Sequence, residues 1–479
     1  MSYLDTPVGK VFIGKNWKWN NIGGKPPAEN PKINLPKNQE SGFMKNDLSK
    51  KKALVYGYGI FDVFLAQTLA QDYGEVMLFV PWMGPWPTPD YQNIGKGIPG
   101  ITRVESYEDA KAIVKENKGT FYFFDVGDAD KQCELRQEGC SVFGAGGIKN
   151  SEGRYPAQDL EIDRSFFKDT LKEVGLPFAP YRIVHGIDEL SVILRKENDL
   201  WVKMDVTIRG IKETFHHIDW KSSVNEIDEL AHKLGFCRDV TEFMVETPVE
   251  KDGVEIGDDS MRLHGESFEN SLYGIEDKGD GYSCKVVQSD KLPAPIQTIN
   301  KAMLPIYQKH DICGAMSSEV RWGKEKKAYY IDACQRMGNP PAACISEIYK
   351  NFSQVVDGIA RGEKVKPEFK AKYAAELSIE AQNADYESIP MDINEKDWHS
   401  IKIRRACKIG DQYYNIPFRD KVSTVVKVVG LGETLEEAQG NCMKAAEDFK
   451  CKGKTFNKNT FNELNEIIDR SVSLGIEKL

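Results

Sequence analysis

Residues 317–341 read SSEVRWGKEKKAYYIDACQRMGNPP. Two β-prone runs flank a charged turn, Gly323 to Lys327, which predicts a hairpin. Gly338 and Pro340 end its second arm. Asp332 sits inside that apolar arm and Glu319 inside the first, with Arg321 and Arg336 near them. An unpaired buried charge is costly, so packing alone gives no reason for them. Two carboxylates that share Mg²⁺ with a triphosphate are what phosphoryl transfer needs, because magnesium takes one or two carboxylates plus phosphate oxygens. Guanidiniums suit bidentate recognition of carboxylate or phosphate. The plainer reading is a surface hairpin with cross-strand salt bridges. Register separates the two. If Trp322 pairs with Tyr329, Glu319 lies opposite Asp332 and they share a face; if Trp322 pairs with Ala328, they do not.

The chain around this hairpin has 479 residues, 41% of them hydrophobic. That is too long for one core and predicts about two to four structural units. The net charge of −9, from 64 basic and 73 acidic residues, favours no nucleic-acid partner. Ten cysteines are scattered without a CxxC pair or a zinc-finger spacing, which reads as reduced thiols in a reducing compartment. The start, MSYLDTPVGKVF, lacks a charged region followed by an apolar one, and no apolar run approaches the length of a membrane span. A soluble, cytoplasmic protein with no membrane partner is expected.

Residues 1–50 are rich in Lys, Asn, Pro and Gly and read as an extension. From residue 51 strands alternate with helices: KALVYGYGIFDVFLAQTLAQ (52–71), EVMLFV (75–80), SYEDAKAIVKEN (106–117) and GTFYFFDVG (119–127). The alternation predicts a doubly wound parallel sheet over 51–145. DRSFFKDTLKEVGLP (163–177) reads as a helix, and strands dominate from LWVKMDV (200–206) to IDAC (331–334). Near the C-terminus, Thr434 with Glu437 and Thr460 with Glu463 are spaced as capping boxes.

Other stretches carry candidate chemistry. Gly57 and Gly59 follow a strand and precede a helix, so the backbone there could approach a phosphate or substrate; a tight turn explains them equally well. Lys203 lies in an apolar strand, where a lysine is rarely central unless it meets an anion. The loop after it, 207–215, carries Arg209, Gly210 and Lys212, a cationic segment able to fold over a triphosphate. In EFMVETPVEKDGVEIG (242–257) the peptide edge at Glu246, Thr247 and Val249 could present backbone groups to an adenine, and Glu255 could accept ribose hydroxyls; an ordinary hairpin reads the same. His216–His217 is a strand pair whose members face opposite ways, a poor metal site.

In this order the pieces resemble the ATP-grasp superfamily, and more narrowly the glycinamide ribonucleotide synthetase (phosphoribosylamine–glycine ligase) family. LEIDRSFFKDTLKEVGLP looks like the helix before that family's ATP site, with Arg164 where a lysine is usual. WVKMD is similar to its VKAD strand, IDACQRMGNPP to its EFNxRxGDPE, and VVGLGETLEEAQ to its C-terminal domain. The resemblance spans about residues 52–450. It implies an α/β and α+β fold: an extension (1–50), an N-terminal doubly wound domain (51–145), an ATP-grasp core of two lobes (146–350), a linker or helical segment (351–385) and a small C-terminal domain (386–479).

It also implies ATP with Mg²⁺, or Mn²⁺. Arg164, Lys203, Glu246, Thr247, Val249 and Glu255 would hold the nucleotide, and Glu319 and Asp332 the metal. Arg336, Arg321 and Lys212 would act in catalysis, with Gly57, Gly59 and Arg336 at the substrate. The implied reaction joins a small-molecule carboxylate to an amine through an acyl phosphate, as in purine biosynthesis, in a monomer or homodimer. Cys334 stands where the family has a metal-ligating Asn. Residues 270–285 read NSLYGIEDKGDGYSCK where the family has GPNTGGMG. The alternatives are a ligase for a different carboxylate and amine, or a non-catalytic ATP-binding protein.

Overall fold

A computed structural model describes residues 3–6, 9–12, 47–57, 59–81, 89–204, 214–278, 281–417 and 423–479. The chain separates into two compact units. One comprises residues 1–45, 162–168 and 179–249, and the other residues 46–161, 169–178 and 250–479.

The larger unit begins with the expected parallel sheet. Its order is Ile101–Arg103, Glu75–Phe79, Lys52–Tyr56, Thr120–Tyr122, Ser141–Phe143, all neighbours parallel. Chain order reverses direction at Lys52–Tyr56, so the sheet is doubly wound. The strands read as continuous apolar runs because helices cover both faces. Helix Tyr107–Glu116 starts where Ser106 accepts the Asp109 N–H. Helix Asp62–Leu69 is buried on nearly every side.

The same unit contains a ten-stranded antiparallel sheet. Its main path runs Tyr329–Cys334, Gly314–Trp322, Val254–Leu263, Asn270–Asp277, Gly281–Gln288, Tyr373–Ala381, Thr424–Gly432, Ile401–Ile403. Residues 351–385, expected as a linker or helical segment, hold helix Phe352–Ala360 and also strand Tyr373–Ala381. That strand is central, pairing Gly281–Gln288 on one side and Thr424–Gly432 on the other. Its residues Ala374, Ala375, Leu377 and Ile379 are buried. The sheet therefore runs straight through the boundary expected at residue 386.

The smaller unit has a four-stranded antiparallel sheet, ordered Thr214–His217, Leu200–Met204, Glu242–Glu246, Tyr181–His185. Helices Gly186–Leu194 and Trp220–Leu234 pack on one face. Leu190, Leu194, Val202, Phe243, Val245, Ile227 and Leu230 form the core between. Period-two alternation then leaves Lys203, Met244 and Glu246 on the other face. His216 and His217 do face opposite ways. His216 meets Asp199 at 2.8 Å, whereas buried His217 meets Ser223 Oγ at 2.9 Å.

Candidate active site

The smaller unit gathers a cationic group around one carboxylate. Glu246, at the end of its strand, is buried. Lys203 Nζ lies 3.1 Å from its Oε2 and Lys168 Nζ 2.6 Å from its Oε1. Lys203 pairs across the sheet with Met244, so it sits diagonal to Glu246 on the same face. Lys168 comes from helix Arg164–Glu173, one turn after Arg164, so both project from one side of the helix. Burial pushes the Glu246 carboxyl up, but Lys203 and Lys168 together hold it below the ordinary range. Burial pulls the Lys168 ammonium down, and Lys203 and Arg164 add to that against the attraction of Glu246. Two ammoniums on one carboxylate leave a surplus of positive charge suited to an anion.

In the sequence Lys168 shows only its helical spacing from Arg164, and the fold supplies its partner Glu246. Thr247 donates its backbone N–H to Pro180 O at 2.9 Å, so that N–H is already committed. Val249 is half-buried in the loop after the strand. Arg209, Gly210 and Lys212 lie outside the described residues.

The larger unit gathers carboxylates. Both registers weighed for the hairpin occur in it. Near the turn Arg321 pairs with Tyr329 and Val320 with Tyr330. A bulge then shifts the ladder by one, so that Glu319 faces Asp332 and Ser318 faces Ala333. Carboxylate oxygens of Glu319 and Asp332 and the Cys334 sulfur lie within 4.8 Å of one another, as do oxygens of Glu255, Glu276 and Glu319. Lys278 bridges the second group, with Nζ 2.6 Å from Glu255, 3.0 Å from Glu319 and 3.5 Å from Glu276.

Burial, with Glu255 and Asp332 reinforcing it against Lys278, raises the Glu319 carboxyl to about 7. The Lys278 ammonium is correspondingly held far above its usual range: burial works against its charge, but Glu319, Glu255 and Glu276 outweigh it. Glu255 thus belongs to one acidic cluster with Glu276 and Glu319. Burial drives the Cys334 thiol well above its ordinary value, which keeps it neutral. Lys278 and Glu276 carried no signal in the sequence beyond a charged turn.

Arg321 and the turn of Gly57 and Gly59 make contacts inside the larger unit. Arg321 donates from Nε and Nη2 to Glu250 O, both at 3.2 Å, and from Nη2 to Lys251 O at 3.2 Å. It thereby closes a turn of the backbone. At the turn of Gly57 and Gly59, Asp62 accepts the Gly59 N–H at 2.9 Å, and a Cβ on Gly57 would overlap the Asp62 carboxyl. The Asp62 carboxylate thus sits in the turn. Arg336 lies at the end of its strand with Nε 2.8 Å from Glu161 Oε1 and 3.8 Å from Asp125 Oδ1. Glu161 also accepts the Gln335 N–H at 2.6 Å, and Met337 N–H bonds Phe124 O at 2.9 Å. These contacts fix Arg336 beside the carboxyl end of the parallel sheet. Glu161 was visible only as one acid among several.

By sequence, no protein-family model and no curated protein matches this chain. By structure, several solved proteins match over nearly their whole length. Phosphoribosylamine–glycine ligase from Thermotoga maritima has a TM-score of 0.61 at 16% identity, covering 85% of this chain and 99% of its own. The biotin carboxylase domain of Hydrogenobacter thermophilus 2-oxoglutarate carboxylase, solved with MgADP, ADP and bicarbonate, has 0.59 at 13%, covering 87% and 98%. N5-carboxyaminoimidazole ribonucleotide synthetase, solved with ADP, has 0.53 at 14%, covering 83% and 96%. Among the described residues no helix is long and apolar enough to cross a membrane. The chain has the ATP-grasp fold that these three enzymes share.

Proposed function

We propose that this chain is an ATP-dependent carboxylate–amine ligase that makes an amide through an acyl phosphate. The observation that most supports this is the facing pair Glu319 and Asp332, in register only because of a bulge, within an ATP-grasp fold. The oxygen donors of Glu319, Asp332, Glu255 and Glu276 suit Mg²⁺ or Mn²⁺. The neutral Cys334 thiol does not. Bound MgATP supplies the phosphoryl group and spreads its charge over the metal.

Each residue set then has its task. Lys203 and Lys168, held by Glu246, take phosphate oxygens with Arg164. Glu319 and Asp332 would hold the metal, and the Lys278 ammonium balances the charge of Glu255, Glu276 and Glu319. Arg336, fixed by Glu161, orients the acceptor carboxylate. The carboxylate oxygen attacks the γ-phosphorus and ADP leaves. The amine nitrogen then attacks the acyl carbon, phosphate leaves, and the amine gives up a proton. No protein nucleophile is needed. Positioning and electrostatic stabilisation carry the rate.

The fold shared with phosphoribosylamine–glycine ligase makes glycine and phosphoribosylamine the first pair to test, with a role in purine biosynthesis. The alternative is another carboxylate and amine. Residues 270–277 and 281–288 favour it, because they form a regular strand pair, with Lys278 leading from the first strand to the acidic cluster. Magnesium-dependent ADP release should appear with one carboxylate–amine pair from a panel that includes glycine and phosphoribosylamine. Tight ATP binding with no ADP under any mixture would sink the ligase and leave an ATP-binding protein.

A further inference from the structure

We propose that His264, Asp311 and Cys313, in the larger unit, form a binding site for a divalent transition ion of the zinc class. His264 lies in the turn after strand Val254–Leu263. Asp311 and Cys313 lie on the link between helix Ala294–Lys309 and strand Gly314–Trp322. The two segments are locked together. Gly265 N–H bonds Ile312 O at 2.8 Å. A side chain on Gly265, whose φ is +80°, would run into the backbone of Tyr307 and Gln308.

Three donors of different type converge there. His264 Nδ1 is 2.6 Å from Asp311 Oδ1 and 3.7 Å from Cys313 Sγ, and Sγ is 4.0 Å from Oδ1. A tetrahedral zinc ion with ordinary bond lengths sets its nitrogen, oxygen and sulfur ligands roughly 3.3–3.6 Å apart. The observed triangle needs adjustments of well under about 1 Å to reach that geometry. The sulfur also accepts the His264 backbone N–H at 3.3 Å, the kind of outer bond that steadies a metal thiolate.

A nucleophilic Cys–His–Asp relay would need thiol and carboxylate on opposite ring nitrogens. Here both face Nδ1, which is the arrangement of ligands around one point. The set of one imidazole, one thiolate and one carboxylate selects zinc-class ions, whereas the all-oxygen cluster at Glu319 selects magnesium. Cys313 is buried and His264 is 45% exposed on its side chain, so the fourth position faces solvent and takes water.

The test uses the full-length chain, stripped with a chelator and titrated with Co²⁺ in the absence of nucleotide, so its outcome is independent of the ligase reading. A single equivalent should bind and give a sulfur-to-cobalt charge-transfer band. Cys313→Ser should abolish the band, and His264→Gln should weaken binding at least about tenfold, both with native circular dichroism. If Cys313→Ser does not fold, the exposed His264→Gln decides. No band in the unmutated chain, a full band in Cys313→Ser, or unchanged affinity in His264→Gln overturns the proposal.

Discussion

Glu246 is a buried carboxylate with two ammonium partners, so removing one partner is not the same as orphaning it. Lys168→Met should therefore lower the thermal midpoint by only a few degrees, since Lys203 still neutralises the acid. It should weaken ATP binding by more than about tenfold in calorimetry, because the proposed phosphate contact of Lys168 is removed. Lys203→Ala and Asp332→Ala should each abolish ATP turnover while circular dichroism stays native; normal turnover in either purified variant would defeat the assignment.

Asp259 makes a different prediction. It accepts from Tyr282 at 2.6 Å and from Ser317, and burial raises its carboxyl from 3.8 to about 8. Between those values the folded state holds one proton more than the unfolded state. Stability therefore falls as pH rises from about 4 through about 8. Asp259→Asn should flatten that slope, which thermal midpoints at about pH 6 and about pH 9 would reveal; an unchanged slope would assign it to other groups.

At the scale of elements, the hairpin bulge decides the candidate metal site. Had the register of Arg321 with Tyr329 continued, Glu319 would face Ile331 and its acid partner would be lost. Both registers were compatible with the sequence, because the second arm, Tyr329 to Cys334, is apolar on both faces apart from Asp332 and marks no wet face. Helix ends divide similarly. Thr434 accepts the Glu437 N–H as its spacing announced, and Thr434→Ala should cost about 1 kcal/mol in chemical denaturation. The second expected box does not form. Asn459 takes the cap position, and Thr460 is buried inside the helix with its methyl against Gly281. Helices Trp220–Leu234 and Ala294–Lys309 interrupt a region that read as strands. Their apolar positions Ile227, Leu230 and Leu234, and Ile296, Ile299 and Met303, had the helical period, but short neighbouring strands concealed it.

At the scale of the whole chain, the antiparallel sheet of the larger unit is continuous in its strand pairing from residue 254 to 455. Thr424–Gly432 pairs with Tyr373–Ala381 along its length, under helix Leu435–Asp448. A truncation at residue 385 should expose that strand's edge and its apolar face, and so yield insoluble protein. A soluble, folded fragment of that length would show the C-terminal part to be a separable domain. MgATP at about 100 times its dissociation constant should stabilise the full chain by about 2.7 kcal/mol, and ATP with chelator by much less. Equal thermal shifts with and without the metal would argue against the carboxylates as its ligands.

The sequence by itself determined the local periodicities: apolar runs that must be parallel strands, an alternating strand that puts Lys203 opposite a core face, and a hairpin bearing two acids. Those follow from backbone geometry and neighbours within a few residues. Tertiary structure alone decided which distant side chains meet. Lys168 and Lys278 found their carboxylates, Arg321 was spent on a backbone turn, and Asp62 filled the glycine loop. A charge's partner depends on register and on segments far apart in the chain, and the free energy of pairing buried charges is realised only once those segments have packed.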